Sequence, residues 1–311
     1  MTIPANQSNS TALNAALDQE MIMSFNQDYD RLAEILGVFS PEVMRAGAAL
    51  QQIKITGSLN NAKTETGYDE SSKKLTLGSS SGSAYVEGDE VALSKYSASK
   101  VAVGAITPKP YRKQTTAAAI MKSGYEAAIV RTDQKMISNV KNAILSDFFT
   151  FLGNGTGAAS GTGLQGALAK ADAKLGDTME TNGDSADRII HFVNRQDAAD
   201  YLAKAEITLQ SAFGLTYLEN FLGVSNVFLT NKVAAGEVYV TPAENIHVFG
   251  IDFASLSNAG LSYASDGLGL LGVAHSPAYD HVSVDTNVLC GALFFPEIQD
   301  YIVKGTVAAT A

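Results

Sequence analysis

Cysteine is nearly absent: Cys290 is the single one in 311 residues. An internal disulfide and a Cys-x-x-Cys motif are both excluded, and a lone thiol fits a reducing compartment. Charge is sparse as well. Only 17% of residues are charged, and 22 Lys and Arg against 32 Asp and Glu leave a net charge of −10 and a pI near 4.9. No basic stripe exists to neutralise a phosphate backbone, which argues against tight or sequence-specific nucleic-acid binding. Long apolar runs are missing too: VLCGALFF at 288–295 is far too short to span a bilayer. The opening MTIPANQSNSTALNAALDQE lacks the basic and apolar regions of a signal peptide. What remains predicts a soluble intracellular product with no membrane partner. Apolar residues make up 46%, enough for a sizeable core in one large or two modest domains. So little charge leaves a surface that suits oligomerisation.

Along the chain, residues 1–16 are small and polar, an arm rather than a packed element. Met21, Phe25, Leu32 and Leu36 recur at helical spacing before Gly37. Residues 52–56 read as a strand. The segment 57–83, GSLNNAKTETGYDESSKKLTLGSSSGS, has almost no large apolar residue beyond Leu59, Tyr68, Leu75 and Leu77. It cannot build its own core. Lying between strand-like 52–56 and 84–87, it predicts a long polar hairpin whose packing partner is another molecule. Alternation returns at 101–106 and ends at Pro108 and Pro110. Residues 113–122 look helical. Ser123 and Glu126 then form an S-x-x-E capping box ahead of Val130, Asp133, Ile137, Val140, Ile144, Phe148 and Phe151, spaced by threes and fours. The spacing predicts a helix over 124–152, roughly 44 Å long. Beyond it, strands are expected at 188–193, 227–230, 237–241, 247–250, 289–295 and 298–306. Helices are expected at 195–206, capped by Asn194, and at 215–222.

Glycine is the residue in excess. Residues 153–166 read GNGTGAASGTGLQG, and 161–166 satisfy G-x-G-x-x-G. A dinucleotide fingerprint must follow a strand and open a helix. Here the glycines follow a long helix and precede the poor helix former ALAKADAKLGD, and the chain holds no Gly-Lys-Ser/Thr of a Walker loop. The expected role is a flexible exit from the helix through positive-φ positions. Gly78-Ser79-Ser80-Ser81-Gly82 matches the nucleophile elbow, but a strand follows it where the elbow requires a helix. His275 and His281 flank Asp280 and Asp285 without the spacing of a metal motif, so core or solvated histidines are expected, along with His191 and His247. No catalytic residue, cofactor or metal is assigned.

Taken in order, the pieces resemble a known plan: a polar arm, a long hairpin returning through Ala84-Tyr85-Val86-Glu87-Gly88-Asp89-Glu90-Val91, a strand ending at Pro108, and a spine helix. After these come Gly153-Asn154-Gly155-Thr156-Gly157 and Gly163-Leu164-Gln165-Gly166, an α/β region and a final pair of strands. This order resembles the major capsid proteins of tailed bacteriophages, the α+β Hong Kong 97-type fold. The resemblance covers roughly 20–305. It implies an N-terminal arm and helix over 1–50 and an extended loop over 51–97. It also implies a peripheral domain of 98–162 plus 285–311 carrying the spine helix, and an axial domain of 163–284. Gly153, Gly155 and Gly157 become the hinge into the axial domain. Lys63, Glu65, Asp69, Glu70, Lys73, Lys74, Glu87, Asp89 and Glu90 become candidate salt links to a neighbouring subunit, against the plainer reading of solubilising loop charges.

The implied function is structural, not enzymatic: pentamers and hexamers of one chain close an icosahedral shell around double-stranded DNA held by non-specific contact. Some family members carry a scaffolding region of about a hundred residues. Only about fifty precede the loop here, so a separate scaffolding protein is expected, with a portal protein and a decoration protein as further partners. The place of action is the virion, assembled in the host bacterial cytoplasm. Two other readings stay open: an encapsulin-type nanocompartment shell, and a nucleotide-dependent enzyme resting on 161–166.

Overall fold

The computed structural model describes residues 30–45, 49–58, 63–69, 74–79, 84–86, 94–204, 217–221, 224–258, 260–265 and 267–308. Side chains of 30–31, 58–93, 204 and 217–225 are outside the description, as is most of the expected arm and helix before Asp30. Two units emerge, Ala49–Gly104 and the remainder.

In Ala49–Gly104, Leu50–Ser58 pairs antiparallel with Lys95–Gly104. The strand at 52–56 is therefore present, but its partner is not 84–87. Ala84–Val86 instead joins Lys74–Ser79 and Lys63–Asp69 in a separate three-stranded sheet, so two small sheets replace one long hairpin. Strand Lys74–Ser79 leads to another strand, so Gly78–Gly82 lies in no strand-to-helix elbow, although 80–83 are themselves outside the described residues.

The larger unit is organised by helix Arg131–Leu152, whose buried stripe is Ile137, Val140, Ile144, Leu145, Phe148, Phe149 and Leu152. Phe148 is fully buried and touches the rings of Phe39, Phe149, Phe192 and Phe294. Tilted and edge-on rings at 5–6 Å add to their area burial, and truncating such a residue to alanine costs about 3–5 kcal/mol. The helix has 22 residues and so spans about 33 Å, shorter than the expected 124–152. The expected capping box does not form. Ser123 is the last residue of helix Ala117–Ser123, and Gly124, at φ 78°, ends that helix. Tyr125 then opens a π turn, Glu126–Val130, with no side-chain cap, and Arg131 N–H bonds the Glu126 carbonyl five residues back.

A six-stranded sheet runs Tyr217–Phe221, Val224–Thr230, Ile189–Asn194, Glu237–Pro242, Val303–Ala308, Gly157–Thr162. Helix Gly163–Asn182 packs on it through Leu164, Ala167, Leu168, Ala171 and Leu175. Tyr217–Phe221 is a strand, not the expected helix at 215–222. Asn194 does cap helix Arg195–Lys204: its Oδ1 accepts from Gln196 N at 2.7 Å.

A four-stranded sheet runs Ala264–Ser265, Leu271–Ala278, Ser283–Cys290, Lys109–Thr116. The expected helix at 113–122 is present over Ala117–Ser123, while 113–116 belong to strand Lys109–Thr116. Leu271–Ala278 is hidden in sequence by Pro277, which sits beyond the short neighbour Ala264–Ser265, where no ladder amide is needed on that side. The expected strand at 289–295 divides into Ser283–Cys290 and Ala292–Pro296, and that at 298–306 begins only at Val303.

Candidate functional site

The ribbon of Leu50–Ser58 and Lys95–Gly104 alternates over 53–57 and 96–100, beyond a register shift at Leu50/Gln51. Directly paired residues share a face, so Ile53, Ile55 and Gly57 lie with Lys100, Ala98 and Tyr96, while Lys54 and Thr56 lie with Ser99 and Ser97. The polar face is knit: Thr56 and Ser97 hydroxyls lie 3.1 Å apart, and Ser99 Oγ donates to the Lys54 carbonyl. Tyr96 Cδ1 lies 2.3 Å from where a Cβ on Gly57 would sit, so the ring lies over the glycine. Yet the apolar face is open. Ile53 is 63%, Ile55 69% and Tyr96 61% exposed. A two-stranded ribbon is marginal on its own, and large apolar side chains gathered on one exposed face mark a contact surface.

A second constellation lies under the spine helix. Lys113, Thr286 and His275 are in register across three neighbouring strands, so all three face the same side. All three bind Asp133. Thr286 Oγ1 donates to Oδ1 at 3.0 Å, His275 Nε2 is 3.1 Å from Oδ2, and the Lys113 ammonium pairs with Oδ1. Asp133 is fully buried. Burial alone would raise its pKa, but hydrogen bonds from His275, Lys113 and Thr286 and the lysine's charge outweigh that, and the carboxyl titrates below its usual range. On the opposite face of the same strand, Asp285 pairs with Arg112. The cluster's plain chemistry is anchorage: it ties the helix to the sheet.

The glycine stretch meets the expectation of positive φ at Gly163, φ 68°, but not at its first three glycines. Gly153 is a right-handed helix end at φ −62°, and neither Gly155 nor Gly157 adopts positive φ. Close approach is what they provide. A Cβ on Gly155 would lie 2.5 Å from the Ile302 carbonyl oxygen, and one on Gly157 2.9 Å from that of Asp300. The context of 161–166 is also corrected: strand Gly157–Thr162 precedes it, and the ALAKADAKLGD segment lies within helix Gly163–Asn182. In this strand–turn–helix the loop is filled by its own backbone, because a Cβ on Gly161 would stand 2.2 Å from the Gly166 carbonyl.

The histidines fall as core or surface groups. His275 and His191 are buried, His281 pairs with Asp280 at 2.8 Å, and His247 with Glu297 at 2.8 Å. Asp285 and His275 lie on opposite faces of the sheet, and no group of His, Cys, Asp or Glu suited to a metal occurs among the described residues. No helix among the described residues is long and apolar enough to cross a membrane. Of the candidate salt-link residues, Asp69 stands opposite Lys74, and Glu65 opposite Leu77, in the small sheet, where Lys63 also lies. Glu70, Lys73, Glu87, Asp89 and Glu90 fall outside the described residues. The Asp133 cluster was missed as a unit; its one sequence signal is an aspartate inside an apolar stripe.

No protein-family model and no curated protein sequence matches the chain. Solved structures do. The capsid of a native GTA particle aligns with a TM-score of 0.53 at 9% identity, covering 89% of this chain and 91% of that one. The capsid of cyanophage A-1(L) gives 0.51 at 12% identity, covering 88% and 92%. A Mycobacterium phage Che8 chain gives 0.50 at 11%, covering 86% and 89%. The chain has the Hong Kong 97-type capsid fold. The expected α+β class holds with it.

Proposed function

We propose that the chain is the major subunit of a phage head, forming pentamers and hexamers of an icosahedral shell around double-stranded DNA. The observation that carries this reading is the ribbon: an amphipathic pair of strands with Ile53, Ile55 and Tyr96 exposed, in a capsid fold. A face of that kind is stabilised by burial against another copy, and head-to-tail contacts of one chain close into rings and shells. The role is structural rather than catalytic. In the same reading, 1–50 is the arm, 51–97 the extended loop, 98–162 with 285–311 the peripheral domain and 163–284 the axial domain, joined through Gly153–Gly157. Lys63, Glu65, Asp69, Glu70, Lys73, Lys74, Glu87, Asp89 and Glu90 contact neighbouring subunits. A separate scaffold, a portal and a decoration protein complete the partners, and the shell forms in the host cytoplasm before serving in the virion. A net charge of −10 suits a wall that contains DNA without gripping it.

Expression of the chain alone and with its genomic neighbours, followed by negative-stain electron microscopy, tests the proposal. Hollow shells or rings of five and six subunits are expected. A monomer or dimer under every condition, co-expression included, overturns it; shells filled with protein cargo and never DNA would favour a nanocompartment.

A further inference from the structure

The π turn Glu126–Val130 is not explained by its own five residues. Its sequence, EAAIV, contains no glycine or proline, and its two alanines favour an ordinary α-helix. A π turn holds one residue more than an α turn and is rare, occurring mostly as single insertions at functional positions. Something outside the segment must hold it.

The contacts identify what does. Lys113 Nζ, besides pairing with Asp133, donates to the Ile129 carbonyl at 3.4 Å and to Thr132 Oγ1 at 2.5 Å. Thr132 Oγ1 lies 2.8 Å from the Ala128 carbonyl and 2.9 Å from that of Ile129. These side-chain contacts to carbonyls of the turn therefore run through one ammonium and the hydroxyl it touches. That ammonium is fixed in turn by Asp133, which Thr286 and His275 hold to the sheet. At the far end, Ala117 N–H bonds the Val282 carbonyl at 2.9 Å, and Gly124, at φ 78°, separates the two helical segments. The chain between Ala117 and Asp133 is fastened at both ends, and the extra residue is taken up between them.

We propose that Lys113, Asp133, His275 and Thr286 form a lock on this π turn, and that 126–133 is a two-state element. With the lock closed the segment carries the π turn; with it open the same residues wind as α-helix continuous with the spine. The change is discrete. Passing one residue through the turn shifts the chain between Ala117 and the turn by about 100° and 1.5 Å relative to Arg131–Leu152, while strand Lys109–Thr116 stays in its sheet. Helix Ala117–Ser123, with Met121 87% exposed, is the element so displaced. The lock is independent of the shell reading, since each of its contacts lies within one chain.

Hydrogen–deuterium exchange of the full chain, read by mass spectrometry, tests this with three variants. Lys113→Met with Asp133→Leu removes the ammonium and the carboxylate together, leaving His275 and Thr286 without their acceptor. Without the lock the segment passes between its two windings and breaks its hydrogen bonds at each passage, so peptides within 124–134 should exchange about tenfold faster, while peptides from 140–152 and 303–308 keep their rates. Thr132→Val, a change at a surface residue, should give a smaller acceleration of the same peptides, and it decides the matter alone if the double variant does not fold. Deleting Ala127, which supplies the α register directly, should restore slow exchange in the double variant and accelerate it in the parent. Unchanged exchange at 124–134, acceleration spread evenly over helix and sheet, or a deletion that acts alike in both backgrounds would each overturn the lock.

Discussion

Asp133 Oδ2 and His275 Nε2 lie 3.1 Å apart with both side chains shut off from solvent, joining the spine helix to the middle of a sheet. The pair is distant in sequence and has no motif spacing, yet it fixes the helix against the strand row. Removing one partner of a buried, charged cluster leaves the other uncompensated. Asp133→Leu alone should therefore cost about 3–5 kcal/mol in chemical unfolding, whereas Lys113→Met with Asp133→Leu should cost less than the sum of the single changes.

The same carboxylate sets a pH dependence with a definite sign. Its folded pKa lies below the ordinary 3.8, so its contribution is present in full above that value and is lost as pH falls through the folded pKa. The unfolding midpoint in urea should show no change from this group between pH 7 and 5, where its stabilisation is complete, and should decline below about pH 4. In Asp133→Leu that part of the acid decline should vanish. An identical acid profile in the variant would show that other carboxylates carry the decline.

The ribbon predicts a separation of stability from association. Ile53→Ser and Ile55→Ser alter exposed residues and should leave subunit unfolding within about 0.5 kcal/mol. Each isoleucine buried at a contact contributes about 1.5–3 kcal/mol, so the concentration needed for assembly should rise at least about tenfold. Sedimentation velocity reads both species. Shells forming at the parental concentration would show that this face stays open in the particle.

Gly153 and Gly155 are neighbours in one run and should behave oppositely. Gly155→Ala drives a Cβ into the Ile302 carbonyl and should destabilise by about 1–3 kcal/mol. Gly153→Ala, at an ordinary helical φ, should fall within about 1 kcal/mol of the parent and lean to the stabilising side. Thermal melts of the two variants distinguish close approach from a need for flexibility.

Cys290 should be chemically silent in the folded chain. Burial pushes its thiol up to about 11, with Lys109 opposing and Asp147 adding to the shift. Since the thiolate is the nucleophile, iodoacetamide at pH 8 should label it only after denaturation, as intact mass will report.

Much of the fold was legible because it rests on periodicity. The stripe from Ile137 through Phe148 announces the spine helix, and the alternation at 101–106 announces a strand that does form. Asp133 was visible as the one carboxylate in that stripe, but its partners come from strands far along the chain, one concealed by Pro277, and register across a sheet has no local signal. The turn at 126–130 was unreadable for a related reason: its cause is Lys113, outside the segment. The glycines misled in kind. Composition reports that glycine is needed, not whether φ or crowding demands it, and at Gly155 and Gly161 the answer is crowding by a carbonyl.

The position of Val303–Ala308 bears on the order of events at the ribosome. It is inserted between Glu237–Pro242 and Gly157–Thr162, and among the described residues the latter has no other neighbour in its sheet. Synthesis proceeds from the N-terminus, and earlier parts begin to fold first. Until this late segment emerges, Gly157–Thr162 is a strand without a sheet and Glu237–Pro242 presents a bare edge open to mispairing. Completion of this sheet is thereby deferred until Val303–Ala308 has been made, long after Gly157–Thr162 has left the ribosome.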